Sequence, residues 1–242
     1  MIGRRTQTAL WGKRLEDIRC DPDSLLILDS CGQLWDVVGA ANLVGAVYKE
    51  YIIFRNGKRP VHIITSAKAK MDDEDTEMFS ALLFKRCAFI DSKKHATFAA
   101  VDGDPLLRNP KYREICRAAK GAVENGRFIE ESYSSLTNRD WMDSVDVFIA
   151  DEYTHNAIFM AMTGHNEPCV MHIGSEKTDI YVPFSSIRPV CFIPNEKPVY
   201  EAICSVVVWL FDSGLVSPAR RLITAMSKSD NPWNTASEFE KL

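Results

Sequence analysis

The chain has 242 residues, 46% hydrophobic and 26% charged, with a formal net charge of -4. That length and mixture suffice to bury a large core, and the slight acidity excludes a surface built mainly to neutralise nucleic-acid phosphates. Seven scattered cysteines, odd in number, fit reduced core thiols and a cytoplasmic chain better than a disulfide framework.

Leu25 to Leu28 is an apolar run leaving through Asp29, Ser30, Cys31 and Gly32, which predicts a buried strand and a tight loop. Leu34, Val37, Val38, Ala41, Val44, Gly45, Tyr48 and Tyr51 recur at helical spacing and predict one long helix, ended by Asn56-Gly57. Val61 to Thr65 predicts a second strand, parallel to the first through a right-handed crossover. Asp72 to Asp75 is an acidic start for a helix through Phe84. Cys87 to Asp91 and His95 to Val101 read as strands, with Asp102-Gly103-Asp104-Pro105 as a turn. Asn109-Pro110 then opens a helix that Asn125-Gly126 stops.

Between Asn125 and Asn138 the helical period lapses, which suggests two Rossmann-like halves, 1–130 and 131–242, unless tertiary context joins them into one domain. Val147 to Ala150 and Cys169 to Ile173 predict buried strands on either side of a helix over Ala157 to Met162, with Gly164 as its stop. Ile180 to Val182 and Val190 to Phe192 follow as strands, then helices over Val199 to Asp212 and from Ser217-Pro218. The expected class is α/β and Rossmann-like, with a mainly parallel sheet or sheets flanked by helices. No run approaches the about 18 apolar residues of a membrane span, and the basic start is not followed by a signal core.

The motifs narrow the chemistry by what they lack: no glycine-rich phosphate loop, GxGxxG, GxSxG or HExxH occurs. Cys169 and His172 lie three apart on a predicted strand and so point to opposite faces, which argues against metal. His95-Ala96-Thr97 reads as a histidine at a strand start. The stretch after Ala150 is richer: Asp151, Glu152, Thr154, His155 and Asn156 supply two acids, a hydroxyl, an imidazole and an amide within six residues. Helix capping explains Asp151 or Thr154, and a ligand site explains the group, because loops after parallel strands carry ligands. Gly174, Ser175 and Glu176 form a comparable loop, as do Asp29 and Gly32. His155, oriented by Asp151 or Glu152, is the candidate base or phosphate ligand. Thr154, Asn156, Gly174 and Ser175 are candidate phosphate or ribose contacts.

Leu26 to Thr65, with Gly32-Gln33-Leu34-Trp35 opening the helix, resembles the start of heptosyltransferase-like glycosyltransferases of the two-Rossmann-domain (GT-B) type. Val145 to Pro183, with Asp151, Thr154, His155, Gly164, Pro168 and Gly174-Ser175, resembles their nucleotide-sugar half. Here His155 stands one residue nearer the acid and the helix is longer. The same stretch is similar to nucleoside deoxyribosyltransferases, although Asn156 or a neighbour stands where that family has a catalytic glutamate. Both resemblances imply a nucleotide or nucleotide-sugar ligand, glycosyl transfer and no metal or other cofactor. The alternative is a non-catalytic interaction or assembly subunit on the same fold, with Trp11, Trp141 and Trp233 as partner anchors. Neither reading calls for a membrane or for general nucleic-acid binding.

Overall fold

The computed structural model describes residues 45–55, 59–68, 70–93, 95–103, 111–162, 167–176, 179–184 and 197–242. Its seven strands are β1 (Tyr48–Ile53), β2 (Val61–Ser66), β3 (Thr97–Asp102), β4 (Arg127–Ser132), β5 (Val147–Ala150), β6 (Cys169–Gly174) and β7 (Asp179–Pro183). The α-helices are α1 (Asp73–Lys93), α2 (Tyr112–Gly121), α3 (Arg139–Asp143), α4 (Thr154–Met162), α5 (Lys197–Asp212), α6 (Val216–Lys228) and α7 (Thr235–Glu240). The architecture is α/β and Rossmann-like. Contacts divide the chain into a larger unit, holding the described residues of Ala41–Glu167 and His172–Asp179, and a smaller one with those of Pro168–Met171 and Ile180–Leu242.

In the larger unit the strands lie in the order β4-β3-β5-β2-β1, followed by the part of β6 from His172 on. β4, β3, β5 and β2 are parallel, and β1 runs against β2. The Val47 N–H donates to Gly174 O at 3.2 Å while Glu50 meets His172 further along, so β6 is antiparallel to β1 and parallel to the rest. β2, β5 and β6 are buried at every position, as strands covered on both faces are; β5 is wholly apolar, while β2 carries His62, Thr65 and Ser66 and β6 carries His172.

One face is covered by α1 and α2. The buried positions Thr76, Phe79, Leu83, Cys87 and Ile90 follow a three-and-four stripe along α1, and all but Thr76 join Ile64, Phe98, Ile115, Ala119, Val147 and Ile149 in one core. Asp72 caps α1, its Oδ1 accepting from Asp75 N at 2.8 Å. The opposite face is covered by α4, whose Phe159 packs on the Tyr51 ring at 5.0 Å between centroids, and by Trp141, edge-on to Phe148. In the smaller unit β7 neighbours β6. There Cys169 N donates to the buried Glu201 of α5, and Tyr181 OH donates to Asp212 at 2.7 Å.

Two expectations are corrected. Tyr48–Ile53 is a strand, not the end of a long helix: Gly45 at φ 61 turns the chain, and an aromatic and β-branched segment pairs with β2 from Tyr48↔Ser66 to Ile53↔Val61. Cys87 to Asp91 is helical, since its apolar residues continue the α1 stripe and the helix runs to Lys93. The stretch from Asn125 to Asn138, where the helical period lapses, contains β4, which pairs with β3 along its whole length. The strand expected at Leu25 to Leu28, the helix from Leu34 as far as Val44, and the run at Val190 to Phe192 fall outside the described residues, as do Asn109-Pro110 and Gly164. The described cysteines Cys87, Cys116, Cys169 and Cys204 carry free thiols. No described helix is long and apolar enough to cross a membrane.

Candidate functional site

Loops leave β3 and β5 from the same edge of the sheet, yet α2 lies on one face and α4 on the other. Diverging connections of neighbouring parallel strands open a crevice at their carboxyl ends, the usual ligand position in open α/β sheets. Gly103 follows β3 and Asp151 follows β5. An ideal Cβ on Gly103 would stand 2.2 Å from Thr154 Oγ1 and 2.3 Å from Asp151 Oδ2, so only glycine lets the two loops approach this closely. Gly103→Ala is therefore expected to destabilise by about 1–3 kcal/mol, as overpacking does. An unchanged unfolding midpoint in urea would contradict this contact.

Beside the crevice lies a groove of about 610 Å3 lined by Asp102, Tyr112, Arg113, Cys116, Arg117 and Lys120 among others, with Glu130, Glu131 and Ser132 across it. Arg113, Arg117 and Lys120 stand on one side of α2, four and then three residues apart. Lys120 pairs with Glu130 at 3.0 Å, whereas Arg113 and Arg117 have no carboxylate partner among the described residues. Tyr112 reaches between the strand ends, its hydroxyl 2.8 Å from Val101 O and 2.7 Å from Ile149 O. Burial, together with neighbouring charges, pushes the Cys116 thiol up to about 12, so it is no nucleophile at neutral pH.

The expected site residues are distributed as follows. Asp151 is buried and caps α4, with Oδ1 accepting from Tyr153 N at 2.9 Å and Thr154 N at 2.7 Å. His155 is buried and stacks on Tyr51, centroids 5.5 Å apart and 10° from parallel. Burial first, then the positive charge of Lys49, lowers its pKa to about 4, which leaves it neutral and a weak base at neutral pH. Thr154 is buried, Glu152 half-buried and Asn156 exposed. Gly174 and Ser175 are buried at the end of β6 and Glu176 is exposed. They lie across β2 and β1 from β5, so the strand order separates the two predicted loops. Asp29 and Gly32 lie outside the described residues. Trp233 is exposed and Trp141 half-buried, and Trp11 is likewise outside.

His155→Ala should remove a stacked aromatic pair and cost about 1–3 kcal/mol of stability. Full retention of the melting temperature would show that the ring is not held by packing.

Sequence reasoning missed the most heavily charged cluster in the larger unit. Glu50, fully buried on β1, takes Arg86 Nε at 2.9 Å, His62 Nδ1 at 2.6 Å, His172 Nδ1 at 3.0 Å and the Tyr48 hydroxyl at 2.9 Å. His172 Nε2 continues to Asp179 Oδ1 at 2.8 Å. Burial opposes charge on Glu50, but Arg86 and the two histidines outweigh it and hold the carboxyl well below its ordinary range. The signal was hidden because these residues come from five elements, and Tyr48-Lys49-Glu50 resembled part of a helix. Among the described residues no group of three or more His, Cys, Asp or Glu side chains is arranged to hold a metal ion.

No family model matches the chain, and no curated protein is significantly similar to it. Its fold is similar to that of a beta-decarboxylating dehydrogenase from Thermococcus kodakarensis, with a TM-score of 0.58 and 11% identity over 78% of this chain and 62% of the other. It is also similar to the TT0538 protein from Thermus thermophilus, with a TM-score of 0.57 and 9% identity over 83% of this chain and 46% of the other. The chain thus spans less than two thirds of either structure. At such identities the likeness establishes a Rossmann-like fold and nothing finer.

Proposed function

We propose that the larger unit binds a nucleotide or nucleotide sugar at the carboxyl-terminal edge of its parallel strands, between β3 and β5. The observation carrying this reading is the groove of about 610 Å3 beside the crevice, where Arg113 and Arg117 form no ion pair among the described residues although Asp102, Glu130 and Glu131 also line it. Arginine offers paired donors matched to phosphate oxygens, and the volume suits a small ligand. The likeness to a dehydrogenase-type Rossmann fold agrees with a ligand at this edge.

Glycosyl transfer with His155 as general base needs that imidazole accessible and titrating near neutral pH. His155, buried, stacked on Tyr51 and lowered to about 4, is poorly suited to that task. That same observation favours the second reading, a non-catalytic binding or assembly subunit.

Calorimetric titration with ribonucleoside diphosphates tests the proposal. Binding should weaken roughly tenfold or more in Arg113→Ala and in Arg117→Ala, since a charge-assisted hydrogen bond contributes about 1.5–3 kcal/mol. If no diphosphate binds at millimolar concentration, the nucleotide reading is wrong.

A further inference from the structure

β4 ends the sheet and, among the described residues, has a neighbouring strand on one side only. Arg127 N–H donates to Ala96 O, and Thr97 stands opposite Arg127, so Arg127, Ile129 and Glu131 turn their backbone groups toward β3. Those of Phe128, Glu130 and Ser132 therefore point outward, where no described strand meets them. Such an edge is a template for one more strand. Its charges, which commonly blunt an edge, are here arranged so that the strand complements itself.

We propose that β4 pairs antiparallel with β4 of a second copy of this chain about a two-fold axis, with Arg127 of each copy opposite Glu131 of the other and Ile129 meeting its own counterpart. The outward backbone groups restrict the register, because only residues that face outward can exchange hydrogen bonds across the axis. Two registers then keep most of the strand paired. One sets Glu130 directly against Glu130 and leaves Arg127 opposite Tyr133, and like charges directly opposite are unfavourable. The other forms the Arg127–Glu131 pair twice by symmetry, while Phe128 and Glu130 exchange the backbone hydrogen bonds. It also sets Ile129 on Ile129 at a position outside the hydrogen-bonded pairs, where side chains approach most closely. The side chains are free for these roles. Arg127 is exposed and forms no ion pair among the described residues, and Ile129 is half-buried. Glu131 Oε2 accepts from Ser135 Oγ at 2.7 Å, which leaves its other oxygen for a guanidinium. Glu130 already holds Lys120 at 3.0 Å and needs no cation from the second copy. Glu131 lines the groove beside the crevice, so Arg127 of the second copy would offset its negative charge there.

Sedimentation equilibrium of the native protein and of two charge reversals tests the pairing. The native chain should dimerise with a dissociation constant on the order of micromolar, since a contact between strand edges is small among specific interfaces. Arg127→Glu places acids opposite one another at both ends of the pair, and Glu131→Arg places arginines there. Each variant alone should dimerise at least tenfold more weakly than the native chain. Mixed in equal amounts, the two should form a heterodimer as tight as the native dimer, because both pairs regain opposite charges. The double variant Arg127→Glu, Glu131→Arg should likewise dimerise by itself, which guards against a single variant that folds poorly. A native chain that stays monomeric at about 100 μM overturns the proposal. So does a dimer unweakened by either reversal, or one that neither the mixture nor the double variant restores.

Discussion

Replacing Glu50 by alanine is expected to cost about 3–5 kcal/mol of stability, the range for breaking a buried ion pair by removing one partner. The loss comes less from the contacts removed than from what stays behind. Arg86, His172 and His62 would lose the buried carboxylate they share, and the Tyr48 hydroxyl its acceptor. Glu50→Gln separates charge from shape, since the amide fills the same space and keeps one acceptor oxygen. It should be destabilised by less than alanine, yet still clearly, because the negative charge that Arg86 and His172 face at this point is gone. Urea unfolding of both variants measures the difference. A loss below about 1 kcal/mol for Glu50→Ala, the scale of an exposed pair, would mean that the cluster is solvated and not a buried network.

The elements legible in the sequence were those whose local signals agreed with their tertiary setting. β2, β5 and β6 are apolar runs buried on both faces, and they stand where the runs stand. α5 and α6 follow the expected periodicity to within a few residues. The failures share one cause, that a short pattern is compatible with two partners. Tyr48 and Tyr51 match a helical stripe, but in β1 they face opposite sides of the sheet, Tyr48 toward Phe79 of α1 and Tyr51 toward Phe159 of α4. Cys87 to Asp91 is apolar enough for a strand, and only the preceding Phe79 and Leu83 show that its period is helical.

The candidate site divides the same way. The loop after β5 could be found because an apolar strand ends in polar residues, and its Asp151 borders the crevice. Its partners could not be found. Arg113 and Arg117 lie on a helix some forty residues away, and Gly103 looked like an ordinary turn glycine. Neither bears on Asp151 until the order β3-β5 is known.

Stability should be highest near pH 6.5 and fall on both sides, because three buried groups titrate in opposite senses. Burial works against charge on His172, but its bonds to Asp179 and Glu50 prevail and raise it from 6.5 to about 9. A raised histidine contributes fully below its unfolded value, and that contribution is lost as pH climbs through about 9. His155 is lowered from 6.5 to about 4, so the unfolded chain takes up its proton first and stability falls as pH drops between those values. Glu50, depressed below its ordinary 4.5, adds a further loss at lower pH as it is forced to protonate. Each histidine shift corresponds to a contribution on the order of 3 kcal/mol, large beside a typical stability of about 5–15 kcal/mol. Urea midpoints measured from about pH 4 to about pH 10 trace the profile, and two variants assign its limbs. His155→Phe keeps an aromatic ring against Tyr51 and removes the titration, so it should flatten the decline between about pH 6.5 and pH 4. His172→Gln should lower stability at neutral pH and flatten the alkaline limb. An alkaline limb equally steep in His172→Gln would place the responsible proton elsewhere and refute the charged His172 between its two carboxylates.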